Sequence, residues 1–403
     1  MSPNAENTKK TQAPSARFAL SLFLLFLAAA CSTPPRPAAG PPVYFPPLPE
    51  LPRIQYLTTF SGRKDIEEQS SFNRFVVGEK PNIKIDKPYG VAMSGGKIYV
   101  CDTNASVAVF DLENRSFGLL KGAVGPGSLR QPVNISIDEE GKKYVSDPVR
   151  GQIVVFDKND EFSKAYGSAG SWRPVDAVRY GENLYVADNG NGLIKVFDLA
   201  SGQIVRTIGD KGDPSERLDR PTNIAFDKEG YLYVTDVARF QVVKFDRDGH
   251  FRSTFGSAGD SFGHFARPKG IAVDRDGRLL AVDASFNNVQ VFNKDGRILL
   301  FFGQGGVNPG DLELPAKVSI DYDNVKYFQR YAGPGFRIDY LIFVTNQFGD
   351  RRVNVFASGK QEGKRYPTDE ELLKQIEDRR KQELESPKSA EPPAPEKSDA
   401  TRP

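Results

Sequence analysis

Four residues far apart in the chain, Asn134, Asp176, Asn223 and Lys317, share one local context: each stands two places after a proline. The prolines are Pro132, Pro174, Pro221 and Pro315, and the matching positions after Pro88 and Pro268 are Gly90 and Gly270. If the fold brings these positions together, two amides, a carboxylate and an ammonium converge. Such a set can bind a polar ligand, hold a divalent ion weakly, or hydrate a channel by bonding to turn amides. A second group recurs as well: Asp102, Asp147, Asp188, Asp236 and Asp283 follow the apolar runs of five segments, with Asn346 in the sixth. A carboxylate that returns in every segment serves the segment, bonding backbone N–H groups in the turn that follows.

The other reactive side chains are few. The cysteines are Cys31 and Cys101, and Cys101 takes a place filled elsewhere by Ala, Ser or Thr, which suits a small buried hydrophobe. Only His250 and His264 could supply imidazole, and neither has a second histidine nearby, so no metal ligand set is evident. Lys and Arg total 54 against 52 acidic residues, a net charge of +2. That is not the footprint of a nucleic-acid binder, and no nucleic acid or cofactor is expected.

The elements that must position these groups are written as a repeat. Segments begin at Lys87, Gln131, Arg173, Arg220, Arg267 and Leu314, a period of 42 to 47 residues, as for four-stranded propeller blades. A proline opens a short first strand, where its missing N–H does least harm. An Asp/Gly turn such as Asp274-Arg-Asp-Gly277 follows. The second strand (LYVAD, LYVTD) is apolar almost without alternation, as when both faces are covered. The third alternates more, and a turn leads to an outer strand such as Phe251–Gly256, FRSTFG. The expected fold is all-β: a six-bladed β-propeller over residues 53–359. The sixth segment lacks an obvious outer strand, but Arg53–Gly62, RIQYLTTFSG, copies the pattern of FRSTFG. It is expected to pair outside Val353–Phe356 and close the ring, hiding an edge that invites aggregation.

The P-x-G/N-hydrophobic start, the YVxD strand end, the VFD strand and the GSAGDSFGHFARP connector (Gly256–Pro268) resemble the NHL repeat, a family of bacterial and animal β-propellers, over residues 52–359. What the resemblance implies is a choice. Some six-bladed relatives are metal-dependent lactonases, a related lyase uses zinc held by histidines, and animal NHL propellers bind RNA through a basic face. The histidines for a lyase-like site are missing, and the lactonase type needs an axial Glu that is not evident beside Asn134, Asp176 and Asn223.

The termini read as an address and a tail. Residues 1–30 carry basic Lys9, Lys10 and Arg17 before an apolar run of about thirteen residues, suited to a signal peptide and short for a membrane span. Ala28-Ala29-Ala30 before Cys31 resembles the bacterial lipoprotein signal, in which the cysteine is the lipid attachment; the family prefers Leu where Ala28 stands. By the same resemblance Ser32 favours an outer-membrane lipoprotein. Residues 31–52 are a Pro-rich spacer. In residues 360–403, Thr368-Asp-Glu-Glu371 starts a short helix with a thin apolar stripe, followed by a charged, Pro-rich tail.

Candidate contact surfaces follow from the topology. The turns between second and third strands, with the connectors between blades, emerge on one face and carry Arg150, Trp172, Arg239, Phe240, Phe286, Phe348 and Arg351. Arg and aromatic residues are the usual anchors of protein interfaces. The sixth segment inserts about sixteen extra residues, Asn324–Tyr340, with Tyr327, Phe328, Tyr331 and Phe336; loops of this length are uncommon unless functional. They either present a partner surface or pack on the ring and its closing strand. The expected function is non-enzymatic: a monomeric ring, lipid-anchored at the bacterial envelope, binding a protein partner. The alternative is a divalent-metal-dependent lactonase- or lyase-like propeller acting through the axial groups.

Overall fold

A computed structural model describes residues 40–385, apart from 70–74, 77, 105, 171 and 211–212. Six antiparallel sheets follow one another along the chain. The first blade holds β3 (Pro88–Ser94), β4 (Lys97–Asp102), β5 (Ser106–Asp111) and β6 (Ser116–Leu119). The second holds β7 (Asn134–Ile137), β8 (Lys143–Asp147), β9 (Gln152–Phe156) and β10 (Phe162–Tyr166). The third holds β11 (Pro174–Tyr180), β12 (Asn183–Asp188), β13 (Leu193–Asp198) and β14 (Ile204–Ile208). The fourth holds β15 (Pro221–Phe226), β16 (Leu232–Asp236), β17 (Gln241–Phe245) and β18 (Phe251–Phe255). The fifth holds β19 (Pro268–Val273), β20 (Leu279–Asp283), β21 (Asn288–Phe292) and β22 (Ile298–Phe302). The sheets form the six-bladed β-propeller that the repeat predicts, with core clusters between neighbouring blades.

The last blade is completed from the other end of the chain. Its strands β23 (Pro315–Asp321), β24 (Phe336–Asn346) and β25 (Val353–Gln361) accept β2 (Ile54–Phe60), which pairs antiparallel with β25 from Ile54↔Ser358 to Phe60↔Val353. Ile54 and Phe60 are buried against the sheets on either side, so the closing strand joins the core as well as the ladder. One further strand lies in the segment read as a spacer: β1 (Val43–Phe45), a Val-Tyr-Phe run free of proline, adds a fifth strand outside β2. The prolines that follow, Pro46, Pro47 and Pro49, fall in the loop between β1 and β2, where no ladder donor is needed.

The insertion in the sixth segment turns inward. Two 3₁₀ turns, Val325–Tyr327 and Gln329–Tyr331, precede a β24 lengthened to pair Phe336 with Gln361. Phe328 is buried edge-on to Phe60 and Phe343, at ring centroid distances of 6.3 and 5.9 Å. Phe336 is buried in the same cluster, and Tyr327 and Tyr331 pack half-buried against it. Gln55 of the closing strand donates to the Tyr331 carbonyl (3.0 Å) and accepts from the Gly333 amide (2.9 Å). Phe328 and Phe336 are therefore not a partner surface, because their rings fill the seam between the clasp and the first blade.

Helix α1 (Asp369–Glu385) starts with a reciprocal capping box: Glu371 N–H donates to Thr368 Oγ1 (3.2 Å), and Thr368 N–H donates to Glu371 Oε2 (3.0 Å). Rather than trailing in solvent it lies against the ring, with Leu373 buried and Arg278 clasping the Asp369 carboxylate through two N–H groups at 2.8 and 3.0 Å. Among the described residues no helix is long and apolar enough to cross a membrane.

Candidate functional site

In five of the six blades the innermost strand begins at its proline, and the ladder slips directly after it; in the second, β7 begins at Asn134 itself. Register shifts lie between Pro174 and Asp176, between Pro221 and Asn223, and between Pro315 and Val318. A bulge of this kind re-aims a side chain. Here it turns Asp176, Asn223 and Lys317 toward the axis, and Asn134, the first residue of β7, joins them although up to 183 positions separate the four in sequence. All four are buried. The glycines at the remaining two positions answer a steric demand: a Cβ on Gly90 would lie 2.6 Å from the Asn134 Cα, and one on Gly270 would lie 2.5 Å from the Lys317 Cα.

The four side chains largely satisfy one another. Lys317 Nζ donates to Asp176 Oδ2 at 2.9 Å and lies 3.4 Å from Asn223 Oδ1. Asn134 Nδ2 donates to the same Asn223 oxygen at 3.0 Å. Asp176 also accepts the backbone N–H groups of Ile224 (3.0 Å) and Ala177 (2.9 Å). Burial nonetheless raises its carboxyl above the usual range, against the pull of the Lys317 ammonium. Asn134 Oδ1 alone is left buried without a partner.

Two further residues belong to this centre and escape the two-after-proline pattern. Tyr89 and Lys269 stand one place after their prolines, in the two blades whose next residue is glycine. Tyr89 OH accepts from Asn223 Nδ2 at 3.3 Å, and burial pushes its phenol up to about 12. Lys269 lies over the Tyr89 ring, 5.6 Å from its centroid, and donates to Gln347 Oε1 at 2.8 Å. Burial, reinforced by the nearby Arg267 charge, pulls its ammonium down to about 8. The pairing of a glycine with a polar residue before it was the available signal.

A divalent ion fits this set poorly. It needs several oxygen ligands, and the central cation position beside Asp176 is taken by Lys317. No group of three His, Cys, Asp or Glu suited to a metal occurs among the described residues. His250 instead pairs with Glu216 and His264 with Ser261, both on the surface.

The recurring carboxylates bind backbone. Asp283 accepts the N–H groups of Ala266 (2.8 Å) and Arg267 (3.0 Å) in the connector and of Ser285 (2.8 Å) and Phe286 (3.1 Å) in its own turn. Asp236, Asp188, Asp147 and Asp102 do the same in their blades. Each clamps the incoming connector to the turn beside it.

That connector face also bears most of the expected partner residues, and several have other duties. Arg150 donates to the carbonyls of Pro126 (2.7 Å) and Ser128, Arg239 to those of Arg217 (2.6 Å) and Pro214 (3.3 Å), and Arg351 to that of Val307. All three thus tie a connector down. Trp172 is 9% exposed, packs on Phe197 and donates its indole N–H to the Gly151 carbonyl at 2.9 Å, so it is no surface anchor. Phe286 is half-buried, whereas Phe240 and Phe348 project, 38% and 56% exposed. Residues not foreseen join them on this face: Phe75, Val76, Ile83, Val124, Val149, Phe262 and Val307. Among the described residues Leu48 and Ile204 are exposed at the opposite face, and Leu119, Val205 and Phe301 are exposed on outer strands.

No family model matches the chain, and no curated protein matches it. Solved structures do. One is a protein of unknown function from Bacteroides thetaiotaomicron, 16% identical over 75% of each chain, with a TM-score of 0.53. A gluconolactonase from Xanthomonas campestris is 17% identical over 80% of this chain and 98% of that one (TM-score 0.49). A virginiamycin B lyase from Staphylococcus aureus is 15% identical over 67% of this chain and 83% of that one (TM-score 0.45). At these identities the likeness shows the fold, a six-bladed β-propeller, and leaves activity open.

Proposed function

We propose that the ring is a non-catalytic binding module whose connector face receives a protein partner at the bacterial envelope. The observation that carries this reading is the asymmetry of exposed apolar side chains: nine in the turns and connectors of the connector face, Phe240, Phe262 and Phe348 among them, against Leu48 and Ile204 at the opposite face, with Leu119, Val205 and Phe301 on outer strands. Apolar side chains that gather on one surface mark interaction sites. The axial groups bond to one another around Lys317, which favours a structural plug over a reaction centre. The NHL-like repeat, the signal-like N-terminus and Cys31, which lies outside the described residues, support an exported lipoprotein facing the periplasm or the cell surface from the outer membrane.

Two experiments separate the parts. Crosslinking in the native host should yield a discrete partner adduct that Phe240→Ser/Phe348→Ser reduces at least fivefold, while Lys228→Ala on the opposite face leaves it intact. Equal yields from both variants would remove the connector face from the reading. Cys31→Ala should shift the protein from the membrane to the soluble periplasmic fraction, and continued membrane retention would refute the lipid anchor.

A further inference from the structure

Helix α1, the loop between β1 and β2, and the outer strand β22 border an open groove of about 1400 Å³. Phe45 and Pro46 line it from the N-terminal segment, Leu300 and Phe301 from β22, and Leu372 and Ile376 from α1. These side chains are half-buried, apart from Phe301, which is 40% exposed. Phe262, 54% exposed, stacks on Phe301 with ring centroids 4.4 Å apart and planes 17° apart. Ionised groups on the walls balance: Arg53, Arg365, Lys374 and Arg379 are matched by Glu50, Asp311, Glu371 and Asp378. Arg365 pairs with Glu371 at 2.9 Å and Arg379 with Glu50 at 3.7 Å. A groove without net charge does not concentrate a strongly charged ligand. Aromatic-lined grooves instead receive proline-rich segments, whose polyproline II form is already ordered and costs little entropy to bind.

We infer that the groove holds this chain's own proline-rich segment, residues 386–395, which follows directly on the helix that forms one wall. The segment reads SPKSAEPPAP, with prolines at Pro387, Pro392, Pro393 and Pro395. Helix α1 stops at Glu385 because Pro387 cannot continue it and holds Ser386 out of the helical region. Lys388 and Glu391 cancel, so a neutral segment meets a neutral groove. The reach is sufficient. An ion pair between Arg297 and Glu377 sets the middle of α1 beside the start of β22. From Glu377 to Glu385 the helix rises about 12 Å, and from Arg297 to Phe301 the strand rises about 13 Å. Residues 386–395 span about 31 Å as polyproline II, enough to double back along the helix to the Phe262–Phe301 pair. Tethering this close makes the encounter intramolecular, with an effective concentration in the millimolar range. The inference goes beyond the partner reading: with the segment seated, Phe262 is withdrawn from the surface a partner meets, and Phe240 and Phe348 remain.

The test is hydroxyl-radical footprinting of the purified full chain with Cys31→Ala, so that neither an acyl group nor detergent competes for the groove. Oxidation of each phenylalanine is read by peptide mass spectrometry. Phe262 and Phe301 are 54% and 40% exposed, against 38% and 56% for Phe240 and Phe348, so residues 40–385 alone would leave the two pairs equally reactive. With the segment seated, Phe262 and Phe301 should react at least threefold more slowly than Phe240 and Phe348. Pro392→Gly/Pro393→Gly/Pro395→Gly leaves residues 40–385 untouched and removes the stiffness of the segment. It should abolish the protection of Phe262 and Phe301 and leave the other two rates unchanged. Equal rates for the two pairs in the parent chain overturn the site. Protection that survives the triple substitution overturns the assignment to this segment. Protection that vanishes on twentyfold dilution assigns the occupant to a second copy of the chain and overturns the intramolecular seating.

Discussion

The two faces of this ring are built from the same residue type used in two ways. On the hairpin face an Asp or Asn ends a strand and accepts amides two and four places on. Asp138 takes Glu140 and Lys142, Asp246 takes Asp248 and His250, and Asn293 takes Asp295 and Arg297, all at 2.8–3.1 Å. These are local Asx turns, complete within five residues. On the connector face the Asp ending the second strand reaches back 15 to 17 positions, as Asp236 does to Asp219 and Arg220. A local turn constrains only itself. A non-local clamp fixes where a long connector lands and leaves its side chains free, so variation accumulates there without disturbing the blade. The exposed aromatics Phe240 and Phe348 accordingly lie on the clamped face.

The largest effect should come from cutting one clamp of each kind. Asp283→Ala leaves four backbone donors of a buried acceptor without a partner. It should cost about 3–5 kcal/mol, since each orphaned buried group costs about 1–3 kcal/mol and some recover water. Asp157→Ala on the hairpin face loses bonds to Asn159 and Glu161 in a half-exposed turn, for about 1–2 kcal/mol. Urea midpoints at constant m-value measure both. Equal losses would mean that the two kinds of clamp do the same work and that the contrast is only geometric.

The same contrast governs what could be read in advance. Proline, glycine and a period of 42 to 47 residues placed the strands and the four axial residues, because each depends on backbone constraints within a few positions. The closing strand was legible for the same reason: Arg53–Gly62 repeats a local pattern, and β2 runs from Ile54 to Phe60. What failed was long-range. Arg150 and Arg239 look like interface anchors by type, yet their partners are carbonyls 22 to 25 residues away on a connector whose path no local signal gives. Phe328 and Phe336 were legible as residues that must pack; that they pack on the clasp depends on the two ends of the chain meeting. Tyr89 and Lys269 were missed because they reach the centre only where a neighbouring glycine leaves space.

A smaller and more specific effect separates the buried lysines of the two faces. On the hairpin side Lys143 is compensated, with its ammonium 2.6 Å from Asp160 and donating to the carbonyls of Asp157 and Lys158. On the connector side Lys269 has the neutral Gln347 and the like charge of Arg267, and its pKa falls from 10.5 to about 8. A base with a lowered folded pKa binds fewer protons folded than unfolded between those two values, so stability rises with pH across that window and is flat below it. Tyrosines such as Tyr144 and Tyr233, whose phenols are raised by burial, act oppositely above pH 10, where the unfolded chain ionises first. The informative quantity is therefore the difference between wild type and Lys269→Met from pH 7.5 to 9.5, in which the tyrosines cancel. Wild type should gain about 1–2 kcal/mol on the variant over that range. A difference that stays constant would show that the Lys269 ammonium is already compensated, and the two faces would then treat a buried lysine alike.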